Sequence, residues 1–471
     1  MERKTDLTKS QLFLDDLWID EQHKLTRLWH AADIYPEPVL RAEKPWEGTN
    51  IGVSLVMKSG DHWKMYYSAS YAKRALRVNG KDARNVLCVA ESEDGMQWER
   101  PSLGLVEFQG SKQNNILPYD KDTGAAINFS SVCYDPEDEE APFKRSCYHK
   151  TGIRGSISRD GYHWTDLDKP LIPSSRTGDA QSLWFNKVDG RYIIIHKVEG
   201  DRSRRTQWIA ESKDFRTFPD SRLIMKADLI DPPDVEYHGM VGFAYADLHL
   251  GLVERWINLP TNHFELLLTW SHDRKTWHRP ISREPFIGPT YDWNQGWHMG
   301  ASSGPYQVGN QLWFHFTGGR RHRRGAHFYV KGGPPNRRVV GLATITVDRF
   351  ASITAGFMEG QLVTKPMTWP GGDLLLNAST TRHFDSYPLD GGGAMKIEVW
   401  DESGQPVEGF FGESAAPFDR NVPTRGSVEP AAVCWPGDRS LDELTGQRIR
   451  LMFLMRDSHL FSFRSSGTQE V

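Results

Sequence analysis

The chain has 471 residues, with 57 Lys and Arg against 61 Asp and Glu, for a net charge of −4. That length exceeds one ordinary core and predicts two domains, and the lack of a basic field excludes nucleic acid as a natural partner. Seventeen Trp, 15 Tyr and 22 Phe favour strands and offer ring faces that can stack on sugars.

The opening, MERKTDLTKSQLFLDD, has no apolar run of signal-peptide length. No stretch of 18 apolar residues follows, so a cytoplasmic protein with no membrane partner is expected. Residues 1–40 contain one short strand-like run, Leu12-Phe-Leu, and read as an arm packed on the main body. From Ile51 a strand pattern begins: Ile51–Met57, His62–Ala69 and Val86–Ala90, with a hairpin turn at Ser59-Gly60-Asp61 and a closing aromatic at Trp98. A second block runs through Phe129–Tyr134, Phe143–His149 and Gly155–Ser158 to Trp164. A third takes Ser182–Phe185, Tyr192–His196 and Trp208–Ala210 to Phe218. The fourth has Val241–Tyr245, Leu248–Ile257 and Phe264–Trp270, closing at Trp277. The fifth has Ser302–Val308, Leu312–Phe316 and Val339–Ile345, closing at Phe350.

A Ser/Thr-x-Asp signature ends each block, with Asp at 94, 160, 214, 273 and 348. The fifth copy, Thr346-Val-Asp348, is degenerate. A repeat of this period with strands between copies signals stacked supersecondary units. Strand–turn–strand blocks with a closing aromatic predict five propeller blades over residues 41–365. The Asp turn itself reads as scaffold, because Asp accepts backbone amides and Gly takes positive φ. After Thr364-Lys-Pro-Met-Thr-Trp-Pro, read as a linker, the texture changes. Leu374–Asn377, Met395–Trp400, Val407–Phe411, Ala431–Trp435, Arg448–Met455 and Leu460–Phe463 alternate as strands. They predict a C-terminal β-sandwich over 366–471, which is also the candidate surface for a homo-oligomer. The fold class expected is therefore all-β, a five-bladed β-propeller followed by a β-sandwich.

Cys88, Cys133, Cys147 and Cys434 are scattered and read as reduced thiols. There is no CxxC and no HExxH, so no cofactor and no metal are expected; a channel metal on His238 and His298 is the alternative to purely hydrogen-bonding histidines.

In a propeller the innermost strands share one funnel, so ligand groups come one or two per blade. The first-strand starts offer Trp46, Glu47 and Asn50, then Asn128, then Asp179 and Gln181. Blade four offers Asp234, Glu236, Tyr237 and His238, and blade five offers Asp292, Trp293, Trp297 and His298. Converging carboxylates beside Trp and His suit glycoside chemistry, in which one carboxyl protonates the leaving oxygen and another attacks or activates water. We assign Glu236 as general acid, with Asp234 as its alternative, Asp179 as base or nucleophile, and Glu47 as the group that tunes their pKa. Two basic clusters, Arg202/Arg204/Arg205 and Arg320–Arg324, read either as solvated loops or as sites for an anionic sugar.

Together these features resemble the five-bladed propeller glycoside hydrolases. The carrying segments are Leu12-Phe-Leu-Asp-Asp16, Pro38-Val-Leu40 with Pro45-Trp-Glu47, Tyr134-Asp-Pro136, Ser156-Ile-Ser-Arg-Asp-Gly-Tyr-His-Trp164, Gly178-Asp-Ala-Gln181 and Arg456-Asp-Ser-His-Leu-Phe-Ser-Phe463. The plan of propeller then sandwich resembles glycoside hydrolase family 32, and the blade pattern is similar to families 43 and 130. Family-32 motifs Asn-Asp-Pro-Asn-Gly, Arg-Asp-Pro and Glu-Cys are absent. The resemblance implies a glycosidase taking a terminal sugar from a carbohydrate substrate, with Asp179 and Glu236 at positions where such enzymes place acids. Two alternatives stand beside it: a non-catalytic carbohydrate-binding propeller, and a phosphorylase like those of family 130.

Overall fold

A computed structural model describes residues 5–70, 76–78, 81–83, 85–118, 128–199, 204–258, 261–301, 304–320, 337–380, 393–419 and 429–467. The described residues are nearly all β, with only short 3-10 turns as helix. No helix among them is long and apolar enough to cross a membrane. The chain divides into two compact units. One is Ala32–Tyr306 with Trp313–Thr344; the other is Met1–Ala31, Gln307–Leu312 and Ile345–Val471.

The larger unit is a succession of antiparallel meanders. Asn50–Ser59, His62–Ser70 and Asn85–Ser92 form the first. Asn128–Tyr134, Phe143–His149 and Gly152–Ser158 begin the second. Gln181–Asn186, Arg191–Glu199, Arg205–Ser212 and Ser221–Met225 make the third. Val235–Tyr245, Leu248–Ile257 and His263–Ser271 make the fourth. Trp297–Gly300, Gln311–Gly319 and Arg338–Thr346 join the first sheet through a parallel bridge between Arg338 and Asn50. Sheets consecutive in the chain pack face to face, and the period-2 alternation of strands decides which side each residue serves. On one strand, Ile194 joins Cys133 and Ile153 of the second sheet, while Ile193 and Ile195 join Val235, Met240 and Val253 of the fourth.

Hydroxyl side chains tie the first strands of meanders one to four in succession, and a hydroxyl from the second strand of the fifth reaches the first. Ser54 Oγ donates to the Ser130 carbonyl (2.7 Å), Ser131 Oγ accepts from the Leu183 amide (2.8 Å), and Ser182 Oγ donates to the Met240 carbonyl (2.6 Å). Thr317 Oγ1 accepts from the Val53 amide at 3.0 Å.

Four of the five Asp repeats fold alike. Oδ1 of Asp94, Asp160, Asp214 and Asp273 each accepts two backbone amides at 2.7–2.9 Å. The next residue is left-handed in every case: Gly95, Gly161, Phe215 and Arg274. The fifth copy is a different turn. There Asp348 itself takes positive φ and its Oδ2 accepts from Ser462 at 2.8 Å.

In the smaller unit, Leu25–Trp29, Ala351–Ala355, Ser458–Ser465, Leu374–Ser379 and Ala431–Ala432 form one sheet, with Gln11–Leu12 on Ser458–Ser465. Ile19–His23, Gly360–Thr364, Arg448–Arg456, Ala394–Asp401 and Ala416–Phe418 form another. One core cluster draws on both sheets: Phe13, Ile353, Leu376 and Phe463 from one side, Leu362, Ile397 and Phe453 from the other. Three expectations differ here. Gln11–Leu12, Ile19–His23 and Leu25–Trp29 are strands of this unit rather than an arm on the first, because their partners lie at 351–364 and 458–465. The expected linker is structural, since Met367–Thr368 pairs with Arg448–Ile449 and Trp369 is fully buried. Val407–Phe411 is a turn, not a strand: the Phe410 amide closes on the Val407 carbonyl around Gly409, which has positive φ.

The four cysteines are free; Cys88 and Cys133 are buried and Cys434 is exposed.

Candidate active site

First strands of every meander in the larger unit converge on one cavity of about 110 Å³. Its wall is rich in hydroxyl and amide groups, among them Ser54, Ser130, Gln181, Ser182 and Thr317, with two charged side chains, Glu254 and Arg338. Gln181 is fixed by Ser146, whose Oγ donates to Oε1 at 2.6 Å.

Asp179 stands beside this wall, one residue before the lining Ala180. Its carboxylate accepts from Lys197, which is itself buried. A side chain on Gly178 would sit 2.7 Å from Lys197 Cε, so glycine is what admits that contact. Burial opposes ionisation of Asp179, but the Lys197 ammonium and the field of His238 outweigh it and hold the carboxyl below the usual carboxylate range. Asp179 is thus a half-exposed, ionised carboxylate at the edge of the cavity.

Glu236 accepts from Arg205 and, at 3.2 Å, from Asn258 Nδ2. Arg205 lies over the Trp256 ring, 4.7 Å from its centroid. Glu199 lies 3.7 Å from Lys197 and 4.0 Å from Arg205. Asp179 and Glu236 are therefore ends of one alternating chain, Asp179–Lys197–Glu199–Arg205–Glu236, with Asp179 held on Lys197, Glu236 on Arg205 and Glu199 between the two cations. Glu236 is an ion-pair anchor rather than the free acid expected of it.

Beside this chain lies a buried pair on the fourth sheet. His238 Nδ1 is 2.8 Å from Glu254 Oε2, and both side chains are about nine-tenths buried or more. His238 also packs edge-on against Phe264. Phe264 stacks on Trp256 and lies 4.7 Å from Trp297, and Arg338 sits over Trp297 at 5.2 Å.

The other expected site residues are placed elsewhere. Glu47 is fully buried, and five donors saturate it: Tyr67 Oη and Arg100 Nε at 2.6 Å, Arg100 Nη2 at 3.2 Å, and the amides of Glu43 and Lys44 at 2.7 and 2.9 Å. Burial opposes its ionisation, yet Arg100, Tyr67 and the amides hold the carboxyl below its usual range. It is a structural hub, not a tuner of Asp179. Trp46 belongs to the same network, donating to Asn115 Oδ1 at 2.7 Å. Tyr237 is wholly buried and donates to Asp231 at 2.9 Å. Asp234 is exposed, and its carbonyl accepts from Asn258. Asp292 projects outward to Arg320 at 2.7 Å. Trp293 donates to the Pro36 carbonyl and covers Gly318 and Gly341. His298 is buried with Nδ1 2.6 Å from the Phe264 carbonyl, and burial pushes it down to about 4. Asn50 Oδ1 accepts from the Arg338 amide. Asn128 pairs with Tyr148 in the second sheet. Among the described residues no group of three His, Cys, Asp or Glu is arranged to hold a metal. Of the basic clusters, Arg205 is bound as above and Arg204 reaches the Pro233 carbonyl at 3.2 Å; Arg202 and Arg321–Arg324 lie outside the described residues.

Glu254, Lys197 and Arg338 escaped the sequence reading because they sit on second or later strands, not at first-strand starts. The available signal was a charge inside an apolar run, as in Leu-Val-Glu254-Arg-Trp and Ile-His-Lys197-Val.

No protein-family model and no curated protein matches the chain. Solved structures to which it is similar include the β-1,2-mannobiose phosphorylase of Listeria innocua in complex with β-1,2-mannobiose, at 12% identity and TM-score 0.47, over 68% of this chain and 98% of that one. An N-acetylgalactosamine deacetylase from F. plautii, in complex with blood group B trisaccharide, aligns at 13% identity and TM-score 0.46, over 70% and 97%. The α-L-arabinofuranosidase of Podospora anserina, in complex with cellotriose, aligns at 11% identity and TM-score 0.44, over 67% and 96%.

Proposed function

We propose that the protein is a glycoside hydrolase that removes a terminal sugar at the mouth of the cavity in the larger unit. In this reading the meanders are the five blades of a β-propeller, and the two six-stranded sheets of the smaller unit form a β-sandwich. The observation that carries the reading is Asp179. It is an ionised, half-exposed carboxylate on a buried lysine, and it feels His238 of the adjacent first strand, beside a wall of hydroxyls. Such a carboxylate can draw a proton from water attacking C1, or attack C1 itself. Trp256 and Trp297 are buried with Phe264 and back this region as core instead of offering ring faces. The four free cysteines fit a reducing compartment, and we place the protein in the cytoplasm.

The test is a panel of aryl glycosides and short oligosaccharides, with wild type and Asp179→Asn compared for released sugar. A loss of about 10²–10⁴-fold in kcat on the best substrate is expected. Equal turnover by both proteins refutes the assignment, and binding without turnover by the wild type favours a carbohydrate-binding module. Phosphorolysis is the second reading, favoured by the cations Lys197, Arg205 and Arg338 gathered around the site. Sugar 1-phosphate formed only when inorganic phosphate is added decides for it.

A further inference from the structure

The fourth sheet presents its charge to the cavity in an unusual way. Gly239 is on the first strand, whose alternate side chains would line the wall, and Glu254 is on the second strand, one layer behind. A Cβ built on Gly239 would lie 2.6 Å from Glu254 Oε2, 2.8 Å from Cδ and 2.9 Å from Oε1. The Glu254 carboxyl therefore occupies the volume that a side chain at 239 would fill, and through that gap it reaches the cavity wall. The glycine has no positive φ to explain it; the space does. The same device recurs without charge at Gly52, whose Cβ would meet Ser68 and Thr317 hydroxyls at 3.4 and 3.2 Å, all three lining the cavity. Only the fourth sheet, among the described residues, uses it to deliver a carboxyl.

One oxygen of that carboxyl, Oε2, faces His238 Nδ1 at 2.8 Å, which fixes the plane of the group. Oε1 makes no hydrogen bond among the described residues, in a side chain about 95% buried. A buried carboxyl with one oxygen anchored and one turned to a cavity is placed for proton transfer. The nearest rival, Glu236, has both oxygens occupied by Arg205 and Asn258.

We propose that Glu254 is the proton donor of this site, paired with Asp179, and that His238 is its positioning residue. This rests on the glycosidase reading above. As the bond from C1 to the leaving oxygen breaks, its electron pair goes to that oxygen, which takes the proton of Glu254. A water forms the new bond at C1 and gives its proton to Asp179. Exchange of one proton from Asp179 to solvent and from solvent to Glu254 restores the starting state, for net addition of water across the glycosidic bond.

The experiment compares wild type, Glu254→Gln, Gly239→Ala, His238→Asn and Asp179→Asn, each checked by circular dichroism, on two substrates that share a sugar. One has a poor leaving group that needs protonation; the other is a dinitrophenyl glycoside that does not. Glu254→Gln is expected to lose about 10²–10⁴-fold in kcat on the first and less than about tenfold on the second. Gly239→Ala should show the same split with Glu254 intact, because its methyl displaces the carboxyl. His238→Asn should move the basic limb of the kcat–pH profile while KM holds. If Glu254→Gln does not fold, the Gly239→Ala split decides. Equal losses on both leaving groups, or kcat within threefold of wild type, overturn the role of Glu254 while Asp179→Asn still tests the broader reading. A wild type with no activity on any glycoside overturns that reading and this inference together.

Discussion

Glu47 offers the sharpest separation of stability from catalysis. Glu47→Gln keeps the shape but replaces an acceptor oxygen with an NH2 donor. All five groups around the carboxylate are donors, so at least one is turned against another donor. Arg100, whose side chain is 8% exposed, loses its buried counter-charge. Breaking a buried ion pair from one side costs about 3–5 kcal/mol, a large fraction of the roughly 5–15 kcal/mol that holds a domain. Urea unfolding followed by Trp fluorescence should show the larger unit's midpoint fall accordingly. Acid sensitivity provides a second readout. The Glu47 carboxyl is depressed in the folded state, so its stabilisation is complete above the unfolded value near 4.3 and is lost as pH falls through the folded one. The variant should therefore lose part of the wild type's destabilisation below about pH 4. Below its unfolding temperature, its kcat per folded molecule should stay within about threefold of wild type. Unchanged stability with a hundredfold loss of kcat would falsify the structural role and return Glu47 to the active site.

Three further outcomes are expected. His298 and His315 are both buried and pushed down to about 4, so the unfolded chain binds more protons between about pH 6.5 and 4. Stability should fall as pH drops through that window, with up to about two protons taken up on unfolding; a flat profile from pH 7 to 5 contradicts their burial as neutral rings. Gly161 and Gly190 both have positive φ, but only Gly161 is packed against Tyr66 and Phe143. Gly190→Ala should cost about 1–2 kcal/mol for the left-handed backbone and Gly161→Ala clearly more, as read from urea midpoints; equal costs refute the packing term. Asp273→Ala removes the acceptor for the Lys275 and Thr276 amides and should cost about 0.5–2 kcal/mol, like a lost helix cap; no measurable change would make that turn ornamental.

Local pattern made the meanders legible. Runs such as Tyr192-Ile-Ile-Ile-His196 can only be strands covered on both faces, and the Ser-x-Asp turns mark their ends. The first-strand starts were legible too, which is how Asp179 and Gln181 came into view. What a linear reading lacks is depth within a sheet. Glu236 and Asp179 look alike on paper, yet Arg205 and Lys197, from other strands, give them different partners. Glu254 lies one strand behind the wall, and only the close approach at Gly239 shows that it comes through. Glu47 looked functional because it follows a Trp before a strand start. Its five donors come from Glu43, Lys44, Tyr67 and Arg100, a set no spacing rule assembles. Gln11–Leu12, Ile19–His23 and Leu25–Trp29 were misplaced for the same reason, since their strand partners are hundreds of positions away.

That long-range pairing sets a timetable for synthesis. Gln11–Leu12 waits for Phe463 and Ser462, and Ile19–His23 waits for Gln361–Thr364. At about 5–20 residues per second, the earliest strands of the chain spend roughly 20–90 s without their last partner while everything between them is made. The smaller unit is thus the last to be completed although it includes strands as early as Gln11–Leu12 and Ile19–His23. A nascent chain stalled anywhere before residue 448 lacks the middle strand of both six-stranded sheets of that unit, Ser458–Ser465 and Arg448–Arg456.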